Sequence, residues 1–240
     1  MLRKLKNIYR EQYFFPGFFG LFINPFYFAR RGINKGVSRM ATYLSGSLLD
    51  VGCGTKPYRR LFQVDSYRGL DIDSSATRKI AIADDLYDGK DFPYQNEVFD
   101  SVLCNQVLEH VFYPNDFLQE INRVMKSRGK LLLTVPFVWD EHEQPYDYAR
   151  YTSFGLRDLL EKNGFQVIRY EKLGADATTI FQLTNAYLFK ATQRWPRLPN
   201  FIFTVTIMAS INFFGLLAGK LLPNNPDLFL DHIVLAEKVS

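Results

Sequence analysis

Two groups of residues in this chain have types and spacings that suit chemistry. The first is Asp50-Val51-Gly52-Cys53-Gly54, followed by Asp71 at close to the ~20-residue interval expected of a ribose-binding acid in a strand–turn–helix unit. The apolar run Leu48-Leu49 before it suits a buried parallel strand. Gly52 and Gly54 permit a tight turn and a close backbone approach to a ligand, because neither carries a Cβ. A carboxylate such as that of Asp71 accepts two hydrogen bonds side by side, which matches a vicinal diol. The second is His142 with Asp147 and Arg150, and the pair Glu109-His110 stands apart as one that tempts a metal. His142 is one of 3 histidines and has the chemistry of a general base near neutral pH. Asp147 and Arg150 either bind substrate or pair with each other. Tyr146, Tyr148 and Tyr151 either wall a pocket or stiffen a lid.

The first group needs a sheet to position it. Strand, glycine turn and helix start (Thr55, Pro57) place a nucleotide-like ligand at the carboxyl end of a first strand. A dinucleotide fingerprint would need a third glycine where this chain has Pro57, and no P-loop lysine arrangement is present. The pattern predicts a helix over 33–44, the motif strand, and a crossover helix over 57–63. Strands follow over 67–73 and 80–83. A fourth strand runs into Asn105 and Gln106, and Phe117, Ile121 and Val124 then mark a helix. A turn over 126–129, a strand over 130–136 and a helix over 153–162 capped by Thr152 come next. Strands over 165–171 and 231–237 complete the order.

These motifs, in this order, resemble the class I S-adenosylmethionine (SAM) dependent methyltransferases of the type 11 group. The residues that carry the likeness are Asp50 to Gly54, Gly69-Leu70-Asp71, Asp91-Phe92-Pro93 with Phe99-Asp100, and Val107-Leu108-Glu109-His110-Val111. Within that group the chain is similar to a subset bearing N-P-F-Y-F-A-R-R-G ahead of the glycine motif and P-F-V-W-D-E-H-E-Q-P-Y-D after strand five. The resemblance implies an α/β, Rossmann-like seven-stranded sheet of order 3-2-1-4-5-7-6 with the last strand antiparallel. It implies SAM as cofactor. Asp50 would lie near its amino-acid end and Gly52, Cys53 and Gly54 beside it. Asp71 would lie on the ribose, Asp84 on the adenine amino group through its side chain and Asp85 on a ring nitrogen through its backbone. Asn105 and Gln106 would border the methionine end. His142 and Asp147 are the catalytic candidates. No metal is expected: Gln106, ahead of Glu109-His110, is an uncharged and poorer ligand, and neither Cys53 nor Cys104 has a partner at zinc spacing.

The remaining segments bear on place and partner. Domain boundaries are expected as an aromatic arm and helix over 1–46, the SAM-binding core over 47–173, an apolar helical insertion over 174–229, and the last strand and tail over 230–240. The 240 residues carry a net charge of only +4, which gives no case for nucleic acid. The two cysteines form no spaced framework, which points to a reduced, cytoplasmic chain. The arm is rich in Phe and basic residues, and Pro16 and Pro25 break it too often for a spanning helix. Residues 198–219 hold no charge, yet a single span there would separate the last strand from its sheet. Both segments either fold onto each other or meet a membrane surface at the inner face. The reading is a methyltransferase acting on a small-molecule, glycan or lipid-linked acceptor, with oligomeric state open. The alternatives are a non-catalytic SAM-fold binding module and a nicotinamide-dependent oxidoreductase.

Overall fold

Leu48, Leu49 and Val51 lose all solvent exposure in strand β1 (Ser47–Val51), as expected of a parallel strand covered on both faces. The computed structural model describes residues 2–80 and 82–239. β1 pairs in parallel with β2 (Ser66–Ile72) on one side and β4 (Phe99–Asn105) on the other. β3 (Asp85–Tyr87) extends the sheet beyond β2, and β5 (Met125–Pro136) extends it beyond β4. β7 (Asp231–Lys238) and β6 (Phe165–Leu173) complete the seven-stranded order β3-β2-β1-β4-β5-β7-β6. Hydrogen bonds from Leu230 N–H to Leu173 O and from Val239 N–H to Gly164 O join opposite ends of β6 and β7, so β7 runs antiparallel to its neighbour. The fold is the one the motif order implies.

Helix α4 (Ser75–Ile80) follows β2, and α5 (Pro114–Val124) buries Phe117, Leu118, Ile121 and Val124 against the sheet. Helix α6 (Ser153–Lys162) buries Leu156 and Leu160 in the same core. The Thr152 hydroxyl accepts from Gly155 N–H at 3.1 Å, and Gly164 stands past the helix end at φ +80°. That side-chain cap and left-handed glycine are the two ends read from the sequence.

Three local expectations need correction. The third strand is Asp85–Tyr87, not 80–83: α4 runs through Ile80, residue 81 lies outside the described residues, 82 and 83 are not in a strand, and the described chain pairs with Leu70–Ile72 from Asp85 on. Residues 57–63 form no crossover helix. Only Arg59–Leu61 makes a single tight turn, and the rest of the link between β1 and β2 is turns and irregular backbone. Residues 126–129 do not separate a helix from a strand. They form an irregularity inside a long β5, where Arg128 adopts φ +61° and the register to β4 shifts.

The chain divides into two compact units. One comprises Gly36–Phe137, Glu141–Glu171 and His232–Ser240 and holds the sheet described above. The other comprises Met1–Lys35, Val138–Asp140 and Lys172–Asp231. It contains α1 (Leu2–Phe14), α2 (Gly20–Ile23) and the start of α3 (Tyr27–Met40). It also contains α7 (Thr178–Thr192) and a 25-residue helix, Arg197–Leu221, built from α8 (Arg197–Phe203), a π turn (Thr204–Met208) and α9 (Ala209–Leu221). Within this second unit Leu21, Tyr27, Phe28 and Ala29 pack with Phe181, Leu183, Leu216 and Trp139.

Buried amides fasten that packing. Gln182 Oε1 accepts from Phe28 and Ala29 N–H, and its Nε2 donates to Pro25 O. Asn212 donates to Leu21 O and Asn24 O and accepts from Asn185. Each would cost about 1–3 kcal/mol if left buried and unbonded, so the set specifies one way for arm and insertion to meet. These two segments do fold onto each other.

Candidate active site

The loop after β1 turns across the end of β2. Gly52 and Cys53 N–H both donate to Leu70 O, at 2.9 and 3.1 Å. Gly52 sits at φ +67°, and a Cβ there would lie 2.4 Å from Val107 Cγ2, so no other residue fits without displacing the segment after β4. Gly54, at φ +49°, has nothing within 4 Å of where a Cβ would be, which leaves open space on that side of the loop. Its N–H donates to Asp71 Oδ2 at 2.8 Å, and Ile72 N–H donates to Asp71 Oδ1 at 2.8 Å. Each carboxylate oxygen of Asp71 is thus fixed by one backbone donor and keeps acceptor capacity for another.

Asp50 lies beneath this loop, almost without exposure, and accepts a hydrogen bond from the Tyr67 hydroxyl. Burial raises its carboxyl to about 7; the Tyr67 hydrogen bond and Lys56 oppose the rise and Asp71 adds to it. Burial, with the nearby Asp50 and Asp71, also pushes the Cys53 thiol up to about 12, so it is an inert packing group. Lys56 is the residue that sequence reasoning missed. It adopts φ +48° and places Nζ 2.5 Å from Asp84 Oδ2, and its charge also acts on Asp50. Gly69 makes room for it: a Cβ there would lie 2.3 Å from Lys56 Cε and 2.8 Å from Cys53 Sγ. The available signal was a lysine two positions after the glycine pair and a glycine opposite it on β2.

Asp84 and Asp85 have protein partners. Asp84 Oδ2 accepts from Gly69 N–H at 2.6 Å as well as from Lys56. Burial alone would raise its carboxyl, but these two contacts hold it below the usual range. Asp85 is held low chiefly by its hydrogen bonds to the Arg68 guanidinium, and it also accepts from Tyr94 OH at 2.7 Å. At the end of β4, Asn105 Oδ1 accepts from the Thr134 hydroxyl at 2.8 Å. Gln106, at φ +56°, donates its N–H to Thr134 O at 3.0 Å. Both are thereby anchored to β5.

The second group gathers after β4. Glu109 and His110 lie on the short turn Leu108–His110, and Glu109 O accepts from Tyr148 N–H at 2.8 Å and Ala149 N–H at 3.3 Å. These bonds hold the loop after β5 against the turn. His142 stands edge-on to His110, with ring centroids 4.8 Å apart. Asp147 is not an open catalytic acid. Arg150 grips both its oxygens, at 2.6 and 2.7 Å, and His142 N–H donates to Oδ2 at 3.0 Å. Burial would raise the Asp147 carboxyl, yet the Arg150 bonds and the His142 N–H lower it to about 2. Asp147 is a positioning residue, with Oδ2 3.3 Å from His142 Nδ1. His232 serves packing, bonded to Tyr170 and to Tyr151 O. The two groups share the carboxyl edge of the sheet, and Cys104 between them senses both Asp50 and Glu109.

Asp50 gives a pH signature. Its folded value is raised, so its contribution to stability is complete below the unfolded value near 3.8 and is lost as pH rises toward about 7. In the ligand-free protein Asp50→Asn should become steadily more stable relative to the parent between pH 4 and pH 7, by up to ~4 kcal/mol. Urea unfolding of both proteins across that range measures it. A stability difference that does not change with pH would show that Asp50 ionises normally.

A family model described as a methyltransferase domain matches residues 26–170, more than half of the chain. Uncharacterized proteins MJ1123 and MJ0638 of Methanocaldococcus jannaschii are 31% and 29% identical to it, over 138 and 142 residues. Those matches cover 52% and 56% of this chain and 66% and 61% of the relatives, so the chain spans less than two thirds of their length. Among solved structures, Haemonchus contortus phosphoethanolamine N-methyltransferase 2, in complex with phosphomonomethylethanolamine and S-adenosylhomocysteine, superposes with a TM-score of 0.54 at 14% identity. That likeness covers 86% of this chain and 53% of that one. The [4+2]-cyclase SpnF gives 0.54 at 19% identity, covering 86% and 83%. A shared fold therefore does not by itself fix the reaction. The matched region runs from the start of α3 to β6 and contains both groups of residues described above. The chain belongs to the methyltransferase-domain family.

Proposed function

We propose that this chain is a SAM-dependent methyltransferase whose acceptor is a lipid-linked or glycan-bearing molecule at the cytoplasmic membrane face. The observation that carries the cofactor reading is the Asp71 carboxylate, fixed by Gly54 and Ile72 N–H beside an open flank at Gly54. Two oxygens with spare acceptor capacity suit a ribose diol, and the glycine turn with Pro57 in place of a third glycine suits a nucleoside without a pyrophosphate. When bound, SAM supplies an activated methyl on a sulfonium. Asp50 lies where an ammonium group would favour its ionised form, and Lys56 balances the surrounding carboxylates. Asn105 and Gln106, tied to Thr134, border the cofactor on the β4 side. Acceptor handling falls to His142, whose ring Asp147 and Arg150 hold in place. The protein's part is mainly orientation. Calorimetric titration tests this directly. Asp71→Ala should weaken SAM binding by about 1.5–3 kcal/mol through lost charge-assisted hydrogen bonds, and NAD should not bind either protein. Unchanged SAM affinity in the variant would remove Asp71 from the site.

The membrane part of the reading rests on the second unit. Phe18 and Phe19 are 73% and 69% exposed, and Phe201, Phe213, Phe214 and Leu221 are exposed on the 25-residue helix. α2 packs against α9, which brings the two apolar surfaces into one unit. The polar residues of that helix are satisfied internally: the Thr204, Thr206 and Ser210 hydroxyls donate to carbonyls one turn back, at 2.7–2.9 Å. A helix surface without open polar groups suits an apolar medium, and an exposed apolar area of this kind marks an interaction surface. Arg194, Arg197 and Lys220 flank its ends, where basic side chains meet lipid headgroups. Flotation with anionic vesicles measures it. The full chain should float with the vesicles, and Phe18→Ser/Phe19→Ser/Phe214→Ser should shift toward the soluble fraction. A full chain that stays soluble would end the membrane reading.

A further inference from the structure

We infer that Glu109, His110 and His142 form a binding site for a divalent first-row transition-metal ion on the acceptor side of the active site. Each residue offers a ligand atom, and the three atoms lie within 4.8 Å of one another. Ligands at the usual ~2.0–2.2 Å from one ion stand about 3–3.5 Å apart. The observed pair His110 Nε2 and Glu109 Oε1, at 3.8 Å, therefore needs only a small side-chain adjustment.

The tautomer of His110 supports this assignment. Its Nδ1 lies 2.7 Å from Tyr146 O, and a backbone carbonyl can only accept. Nδ1 therefore carries a proton, and Nε2 is the ring nitrogen on the Glu109 side, 3.8 Å from Oε1. A second ring nitrogen bonded to a carbonyl or carboxylate is also the usual way a metal-ligating histidine is oriented. His142 Nδ1 lies 3.3 Å from Asp147 Oδ2 and 3.5 Å from Arg150 Nη2, so its ring too is held from the loop side. Glu109 is fully buried, and a cation beside a buried carboxylate offsets the cost of its charge. The loop bonds from Tyr148 and Ala149 to Glu109 O keep the three ligands in register.

Two further charged side chains, Arg150 and Glu143, border the cluster. Arg150 Nη2 lies 3.5 Å from His142 Nδ1 and would repel a cation, but both its nitrogens are bonded to Asp147. Glu143 Oε2 lies 4.0 Å from His110 Nε2 on an exposed side chain and is within reach as a further ligand. Two imidazoles and a carboxylate select Mn²⁺, Fe²⁺, Co²⁺ or Zn²⁺ over Mg²⁺ or Ca²⁺ and leave coordination positions open. The site deepens the methyltransferase reading and rests on it for its role. An acceptor hydroxyl at an open position would lose its proton to water more readily, because a bound ion lowers the pKa of an oxygen ligand. In the loaded site His142 acts as a ligand rather than as the base. The expectation of a metal-free site followed from Gln106, but His142 completes the cluster from the other side.

The test uses the full chain freed of any purification tag, titrated with CoCl2, MnCl2 and ZnCl2 and followed by calorimetry and by the Co²⁺ visible spectrum. Saturable binding of one Co²⁺, with the intensified absorption of a low-symmetry nitrogen and oxygen site, is expected. His142→Ala and His110→Ala, checked for fold by circular dichroism, should each weaken it at least tenfold. The chain has only 3 histidines, and His232 is buried elsewhere, so adventitious histidine binding is easily recognised. Absence of stoichiometric binding by all three ions, or equal affinity in His142→Ala, would overturn the site. SAM affinity measured on the same samples separates this from the cofactor reading: metal binding that persists where SAM does not bind counts against the cofactor and leaves the metal site standing.

Discussion

The hydrogen bond from Gly54 N–H to the Asp71 carboxylate is the constraint on which the rest of the site depends. It exists because β1 and β2 are parallel neighbours whose ends lie side by side, and because Gly52 and Cys53 already anchor the loop to Leu70 O. Three close approaches follow from it. Gly52 must accept Val107, Gly69 must accept Lys56 and Cys53, and the loop must leave one flank of Gly54 open. The glycines are thus explained by what they touch, more than by flexibility.

The electrostatics follow from the same geometry. Bringing the ends of β1 and β2 together sets Asp50 near Asp71, and Lys56 from the intervening loop acts on Asp50 and Asp84. Asp50, buried beneath, is left with a carboxyl that titrates near neutrality, whereas Asp147 in the neighbouring group is held ionised by a two-pronged arginine. Two carboxylates on one sheet edge are driven in opposite directions by their surroundings, which is how one edge can bind a cationic ligand and orient a histidine.

Much of the fold was legible in the sequence, for physical reasons that also mark where legibility ends. β1 and the Val102–Cys104 part of β4 are buried in the parallel sheet and appear as apolar runs, α5 shows helical spacing, and α6 is marked by its cap Thr152. β3 did not show itself because Asp85-Leu86-Tyr87 is only three residues long, while Ile80 and Ile82 nearby alternate as a strand would. In the site, Asp50, the glycines and Asp71 were legible because one strand–loop–strand unit contains them. The meeting of His110 and His142 was not, since it depends on how the loop after β5 folds back through Tyr146, Tyr148 and Ala149. The role of Lys56 was illegible for a similar reason: it lies in Asp50 and Asp84, which meet it only in the fold. Nothing in the sequence marks Gln182, Asn185 and Asn212 as buried, and only the folded unit shows that they are its fasteners.

The central claim is methyl transfer through the Asp71 site to an acceptor in the membrane fraction. The most direct measurement incubates the full chain with methyl-labelled SAM and separate soluble and membrane-lipid fractions of its source cell, beside Asp71→Ala. The account predicts label in an extractable lipid-linked or glycan-bearing product from the membrane fraction, and little or none with Asp71→Ala. Label that appears only with the soluble fraction would contradict the acceptor assignment. Failure of the parent chain to transfer label to either fraction while it binds SAM would contradict the enzyme and leave a binding module.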